Sequence, residues 1–269
     1  NGRIPEGWVT ALAASKDKAS GKSFVYAAQR GRIETSDADK RHTRYSESSR
    51  NFIDEINIHD GANGEVLATT RLERPQGLAV QNDHLYALHK SGDRFAVSMA
   101  SLKAGLFASE WKTLFNVPGD INPTDLEIDS KERVYLSDGA ANKVHQLDLS
   151  GKILRNFGRL SIQKSGSYDR ETLMTPGKLA TWTDPSGVHR LLIVDNAGPN
   201  RVSEWNADDG SFIRDFMSYQ TKANNGYAVD PGDASFVYLP GHDDWLTRFK
   251  IDYQTGEWKI DAVWPDRID

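Results

Sequence analysis

The sequence predicts an all-β fold: a β-propeller of four-stranded antiparallel blades, with five blades visible in the chain. Two observations carry this. A tetrapeptide of three turn residues and an apolar one recurs at positions 5, 75, 123, 176 and 224, as Pro5-Glu6-Gly7-Trp8, Pro75-Gln76-Gly77-Leu78, Pro123-Thr124-Asp125-Leu126, Pro176-Gly177-Lys178-Leu179 and Asn224-Asn225-Gly226-Tyr227. Four short apolar runs follow each copy, and no segment holds a helical period over three turns. Such a sheet cannot bury both faces alone, so successive repeats must pack around an axis.

The third copy gives the pattern most clearly. Leu126-Glu127-Ile128 is its first strand, Val134-Tyr135-Leu136 its second, Val144-His145-Gln146-Leu147 its third and Ile153 to Phe157 its fourth. The fourth copy matches with Leu179 to Thr181, Leu191 to Val194, Val202 to Trp205 and Phe212 to Phe216. In the second, fifth and first copies, Leu85 to Leu88, Val237 to Leu239 and Phe24 to Tyr26 take the second-strand place. Turns such as Asp148-Leu149-Ser150-Gly151 and Asn206-Ala207-Asp208-Asp209-Gly210 join the third strand to the fourth, where glycine supplies a positive φ and Asp or Asn bonds the local backbone. Trp8, Trp182 and Trp205 read as core.

The repeats run over residues 5–74, 75–122, 123–175, 176–223 and 224–269, giving one expected domain, 1–269. Each copy is complete, so the ring either closes with five blades or takes further blades from outside the chain. Neighbouring domains outside the chain are therefore candidate partners, and a chain that starts at Asn1 reads as a processed or excised form.

Composition narrows the function. A net charge of -5 gives no general attraction for nucleic acid, and no apolar run approaches the ~18 residues of a membrane span. The absence of cysteine excludes disulfides, thiolate metal sites and a cysteine nucleophile. Seven Trp with many Asn, Asp and Gly turns suit a secreted or periplasmic protein.

Strand alternation places the start of strand one and the end of strand two on one face of each blade. The slot after strand two holds Gln29, His89, Asp138, Asp195 and His242. Asp138 and Asp195 suit turn-bonding roles, which leaves His89 and His242 as the candidate acid and base. Two insertions, 30–52 and 159–175, fall on the same face and mark it as the working surface. They bring Arg44, Tyr45, Tyr168 and Arg170, and Trp245 stands close to His242. Arg and Tyr walls suit a carbohydrate or acidic small ligand through forked hydrogen bonds and ring stacking.

Val194-Asp195 followed by Asn200-Arg201-Val202, and Ser137-Asp138 followed by Asn142-Lys143-Val144, resemble the units of the NHL-repeat family. That resemblance spans nearly the whole chain and implies a propeller, a scaffold that carries many activities. Pro5-Glu6-Gly7 and Asn225-Gly226-Tyr227-Ala228-Val229 resemble the metal-bearing segments of gluconolactonase and regucalcin-like propellers. This second resemblance implies one divalent cation, often calcium, held by Glu6, Asn225 and an Asp, for which Asp125 is the candidate. Asp125 stands one residue beyond the family's position, in the slot normally held by Gly.

Three functions follow as expectations. The first is a carbohydrate-active lyase or hydrolase working on a polysaccharide or uronic acid across the insertion-bearing face. The second is a non-catalytic glycan- or protein-binding scaffold, and the third a metal-dependent lactonase.

Overall fold

The computed structural model describes residues 8–33, 52–159, 165–197, 201–217, 228–240 and 246–264. Among these residues there are 22 strands and no helix. The first sheet follows chain order: β1 (Trp8–Lys16), β2 (Ser23–Ile33), β3 (Phe52–Asp60), β4 (Val66–Arg71). In the second, β5 (Gly77–Gln81), β6 (His84–Ser91) and β7 (Arg94–Lys103) are followed by β8 (Leu106–Phe107) and β9 (Lys112–Asn116), both paired with β7. The third holds β10 (Pro123–Ile128), β11 (Val134–Asp138), β12 (Lys143–Leu147) and β13 (Ile153–Phe157).

A two-residue strand, β14 (Gly166–Ser167), precedes the fourth sheet, which holds β15 (Pro176–Thr183), β16 (His189–Asp195), β17 (Arg201–Asn206) and β18 (Phe212–Met217). The fifth sheet holds β19 (Ala228–Val229), β20 (Phe236–Pro240), β21 (Leu246–Asp252) and β22 (Glu257–Trp264). β14 joins the outer edge of that last sheet, pairing with β22. These up-and-down antiparallel sheets are propeller blades, the fold class that the repeats predict.

Packing divides the chain into two units, residues 1–134 with 147–152, and residues 135–146 with 153–269. In the first, Phe24, Tyr26, Ile56, Ile58, Leu78 and Leu85 form one buried cluster shared by the first two blades. Their first strands lie side by side, and Thr10 Oγ1 donates to the Pro75 carbonyl at 2.7 Å. β10 follows on the other flank of β5. The glycine of the repeated tetrapeptide explains this approach, because a Cβ on Gly77 would stand 2.5 Å from the Leu126 backbone nitrogen.

In the second unit, an aromatic ladder runs Tyr135, Phe157, Trp205, Phe212 with centroid spacings of 6.0, 6.1 and 5.3 Å. The last two contacts are edge-to-face, the geometry that the ring quadrupole favours. Trp205 is core as expected, but Trp182 is 42% exposed. It sits near the hairpin end of β15, opposite Arg190 and beyond the reach of the buried cluster. The burial of the Trp8 side chain lies outside what is described.

Candidate functional site

His89 is placed by β6, a strand buried at five successive positions because both its faces are covered. It pairs across to Ala96 of β7 and lies at the end of strand two, where the repeat predicts it. The inter-blade linker runs past this strand end. Lys90 N–H donates to the Glu73 carbonyl at 3.0 Å and Gln76 N–H to the Leu88 carbonyl at 2.8 Å. Asp54 Oδ2 accepts from the Arg74 N–H at 2.8 Å, holding Arg74 at a left-handed φ of 43° just before Pro75. Such a conformation costs a non-glycine residue about 1 kcal/mol or more, which the carboxylate bond helps to offset.

This arrangement opens a cleft of 530 Å³, lined by Asp54, Arg71, Glu73, His89, Lys90 and the turn at 91–92. Asp54 lies two residues after the first insertion rejoins the sheet at Phe52. Lys90 Nζ stands 4.9 Å from the Phe95 ring centre and donates to the Asp93 carbonyl at 3.3 Å, which fixes it at the rim.

Both nitrogens of the His89 ring have partners. Nδ1 lies 2.5 Å from the Lys90 carbonyl, which can only accept, so Nδ1 carries the hydrogen. Nε2 lies 2.8 Å from Ser98 Oγ, and Ser98 Oγ lies 3.2 Å from Thr113 Oγ1. Burial lowers the His89 pKa from its ordinary value, against the smaller opposing effects of the Lys90 carbonyl and the Glu73 charge. The imidazole is accordingly neutral at pH 7, with Ser98 donating to Nε2.

Tyr168 and the backbone of Arg170, the two candidate ligand-wall residues of the second insertion, stand beside Arg201 in the second unit. Arg201 is fully buried. Its Nε donates to Asp195 Oδ2 at 2.8 Å, Nη1 to the Arg170 carbonyl at 2.7 Å and Asp215 Oδ2 at 3.1 Å, and Nη2 to the Thr172 carbonyl at 2.7 Å. Its guanidinium stands 5.4 Å from the Tyr168 ring centre. Tyr168 Oη donates to Asp215 Oδ2, and burial pushes its phenol far above the usual range. The Arg170 guanidinium lies 5.7 Å from the Phe212 ring centre. Asp138 accepts from Ala141 N–H at 3.0 Å, in the turn before the third strand as expected, while Asp195 also accepts from Met174 N–H at 2.9 Å, in the segment that leads into β15.

His145, not singled out from the sequence, is a second buried histidine. Its Nδ1 lies 2.8 Å from Asn156 Oδ1 and its Nε2 3.8 Å from Asp138 Oδ2. Asp125 is buried in β10. Among the described residues no group of three or more metal-binding side chains occurs, so none gathers around Asp125 there. Glu6, Asn225, Arg44, Tyr45, His242 and Trp245 lie outside the described residues.

No family model and no curated protein matches the chain. Solved structures do resemble it. A Lactobacillus plantarum protein is 16% identical with a TM-score of 0.41, the match covering 83% of this chain and 65% of that one. A gluconolactonase from Xanthomonas campestris is 16% identical with a TM-score of 0.45, over 74% of this chain and 58% of that one. A Bacteroides caccae protein of unknown function is 12% identical with a TM-score of 0.47, over 96% and 82%. The match thus spans less than two thirds of the first two structures. At these identities nothing about activity follows from them.

The sequence pointed to His89 through its slot in the repeat. Asp54, Arg71 and Glu73 were missed by sequence reasoning, because their meeting depends on how the linker crosses the strand end. A run of charge immediately before Pro75, Arg71-Leu72-Glu73-Arg74, was the available signal.

Proposed function

We propose that the chain is a carbohydrate-directed propeller domain whose cleft at His89 holds a sugar-sized polar ligand. The carrying observation is the composition of that cleft: 530 Å³ walled by two carboxylates, two cations and an imidazole, with Leu72 as its one large apolar side chain. Small-ligand pockets span roughly 300–1,000 Å³. Charged groups that both donate and accept suit a ligand rich in hydroxyls. Lys90 and Arg71 supply donors, while Asp54 and Glu73 supply acceptors.

Hydrolysis is the chemistry favoured within this reading, because glycoside cleavage uses paired carboxylates as acid and base and two line the cleft. His89 shapes the wall as a neutral imidazole, since both its ring nitrogens are engaged. A purely binding role is the second reading, favoured by that same engagement.

Calorimetric titration with a panel of monosaccharides, uronic acids and short oligosaccharides tests the proposal, alongside an assay for released reducing ends. Binding that Arg71→Ala or Glu73→Ala weakens at least tenfold supports the cleft. Binding that survives both changes places the ligand elsewhere. Sugar release that Asp54→Asn or Glu73→Gln abolishes supports hydrolysis; binding with no release leaves the domain a lectin-like module.

A further inference from the structure

The groups that share the cleft wall with His89 are two carboxylates, Asp54 and Glu73, and two cations, Arg71 and Lys90. The wall is balanced while the imidazole is neutral. It carries one positive charge in excess once the imidazole is protonated. On its other side the ring nitrogen Nε2 meets the Ser98 hydroxyl, which in turn meets that of Thr113, a row that crosses the blade. Ser98 is 1% exposed, while Thr113, its register partner on β9, is exposed to solvent.

We propose that the cleft takes a carboxylate-bearing sugar together with one proton, that His89 holds this proton, and that Ser98 and Thr113 conduct it from the outer surface of the blade. This rests on the reading of the cleft as a sugar site and names the class of sugar.

The choice of hydroxyls makes the step available. A buried histidine bonded to an N–H is locked neutral, and one with both nitrogens on carbonyls is locked charged. Ser98 can serve either state, because its oxygen both donates and accepts. In the neutral state Thr113 donates to Ser98 and Ser98 donates to Nε2. On protonation Nε2 takes the hydrogen from Ser98 Oγ, Ser98 takes the one from Thr113 Oγ1, and Thr113 takes a proton from hydronium or the acid form of the buffer at the surface, which leaves water or the buffer base behind. Each hydroxyl ends with the single hydrogen it began with, and the ring gains one proton. Nδ1–H stays on the Lys90 carbonyl throughout.

In the empty cleft, desolvation outweighs Glu73 and keeps the ring neutral. A bound carboxylate adds a further negative charge to those of Asp54 and Glu73 and tips the balance toward imidazolium. A neutral sugar adds none. His89 therefore ties discrimination between acidic and neutral sugars to pH.

The test is titration of the whole chain with glucuronate, galacturonate and glucose, at pH 7 in two buffers of different ionisation enthalpy. Uptake approaching one proton per uronate is expected, with none for glucose. Uronate affinity should strengthen by up to about tenfold per pH unit as pH falls from 7.5 to 6, the limit for uptake of one proton. His89→Gln should abolish both the uptake and the pH dependence while keeping the fold by circular dichroism. Nitrogen NMR of the ligand-free protein at pH 7 should show His89 neutral with its hydrogen on Nδ1, and Thr113→Val should slow proton exchange at that ring at least tenfold. Uronate binding without proton uptake overturns the proposal alone, as does a hydrogen on Nε2 of the neutral ring. Unchanged exchange in Thr113→Val overturns the conduction route. Failure of every sugar to bind overturns the cleft reading and this proposal with it.

Discussion

Gly77 and Leu126 touch backbone to backbone: a methyl group on Gly77 would lie 2.5 Å from the Leu126 nitrogen and 2.7 Å from its Cβ. The glycine of the repeat therefore marks where the first strand of one blade meets the first strand of the next.

Gly77→Ala should destabilise the protein by about 1–3 kcal/mol, the cost of forcing extra volume into a packed contact. Gly119→Ala is the control, since a Cβ there meets nothing within 4 Å, and it should stay within about 0.5 kcal/mol of the parent. Urea denaturation reads both, and equal midpoints for the two variants would show that the strands separate readily.

Removing Arg201 strands several groups at once. Arg201→Ala takes the cation away from the buried Asp195 and from Asp215, and one donor each from the carbonyls of Arg170 and Thr172. Breaking a buried ion pair on one side costs about 3–5 kcal/mol. Chemical denaturation should show a loss of that size, with early proteolytic cleavage near residues 168–175. A loss below about 1 kcal/mol would contradict full burial of the guanidinium.

The His89 titration has a definite sign. Its pKa in the folded chain lies below the ordinary 6.5. Between those two values the unfolded chain binds more protons, so the contribution of His89 is complete above about pH 6.5 and is lost as pH falls through the folded value. Melting temperatures measured from pH 7.5 down to 5 should fall more steeply for the parent than for His89→Gln. Parallel curves would mean that the ring is solvated.

Asp184 acts in the same direction at lower pH. Its carboxylate accepts from Ser186 and from the Val188 N–H, and pairs with Arg190. These bonds, the Ser186 hydroxyl first, hold its pKa well below the ordinary 3.8. Stability from this turn is present above about pH 3.8 and drains away as pH falls below it. Asp184→Asn should flatten the acid limb of a stability–pH curve between pH 5 and 2.5, and an unchanged limb would assign acid sensitivity to other carboxylates.

The blades were legible because their determinants are local. Turn residues and strand length act within a few positions and repeat in every copy, and the tetrapeptide glycine repeats in three of the five. The slot of His89 was legible for the same reason. Its partners were not, because Ser98 and Thr113 lie on neighbouring strands and the cleft carboxylates on another blade. Arg201 stood in a readable Asn-Arg-apolar motif, yet arginine ordinarily reads as a surface residue, so nothing local announced its burial. Trp182 misled in the opposite direction: a large ring in a strand suggests core, but its place near the hairpin end leaves it in water.

The pairing of β14 with β22 also sets an order of assembly. Gly166 meets Val263, so a rim contact spans about a hundred residues of chain and encloses the whole fourth blade and most of the fifth. Closing so long a loop costs entropy before the contact repays it, and non-local pairings of this kind slow folding. On the ribosome the segment around Gly166 emerges long before its partner and must wait for about a hundred further residues. The outer rim of the fifth blade is therefore completed late, and until then the edge of β22 is open to pairing with another chain.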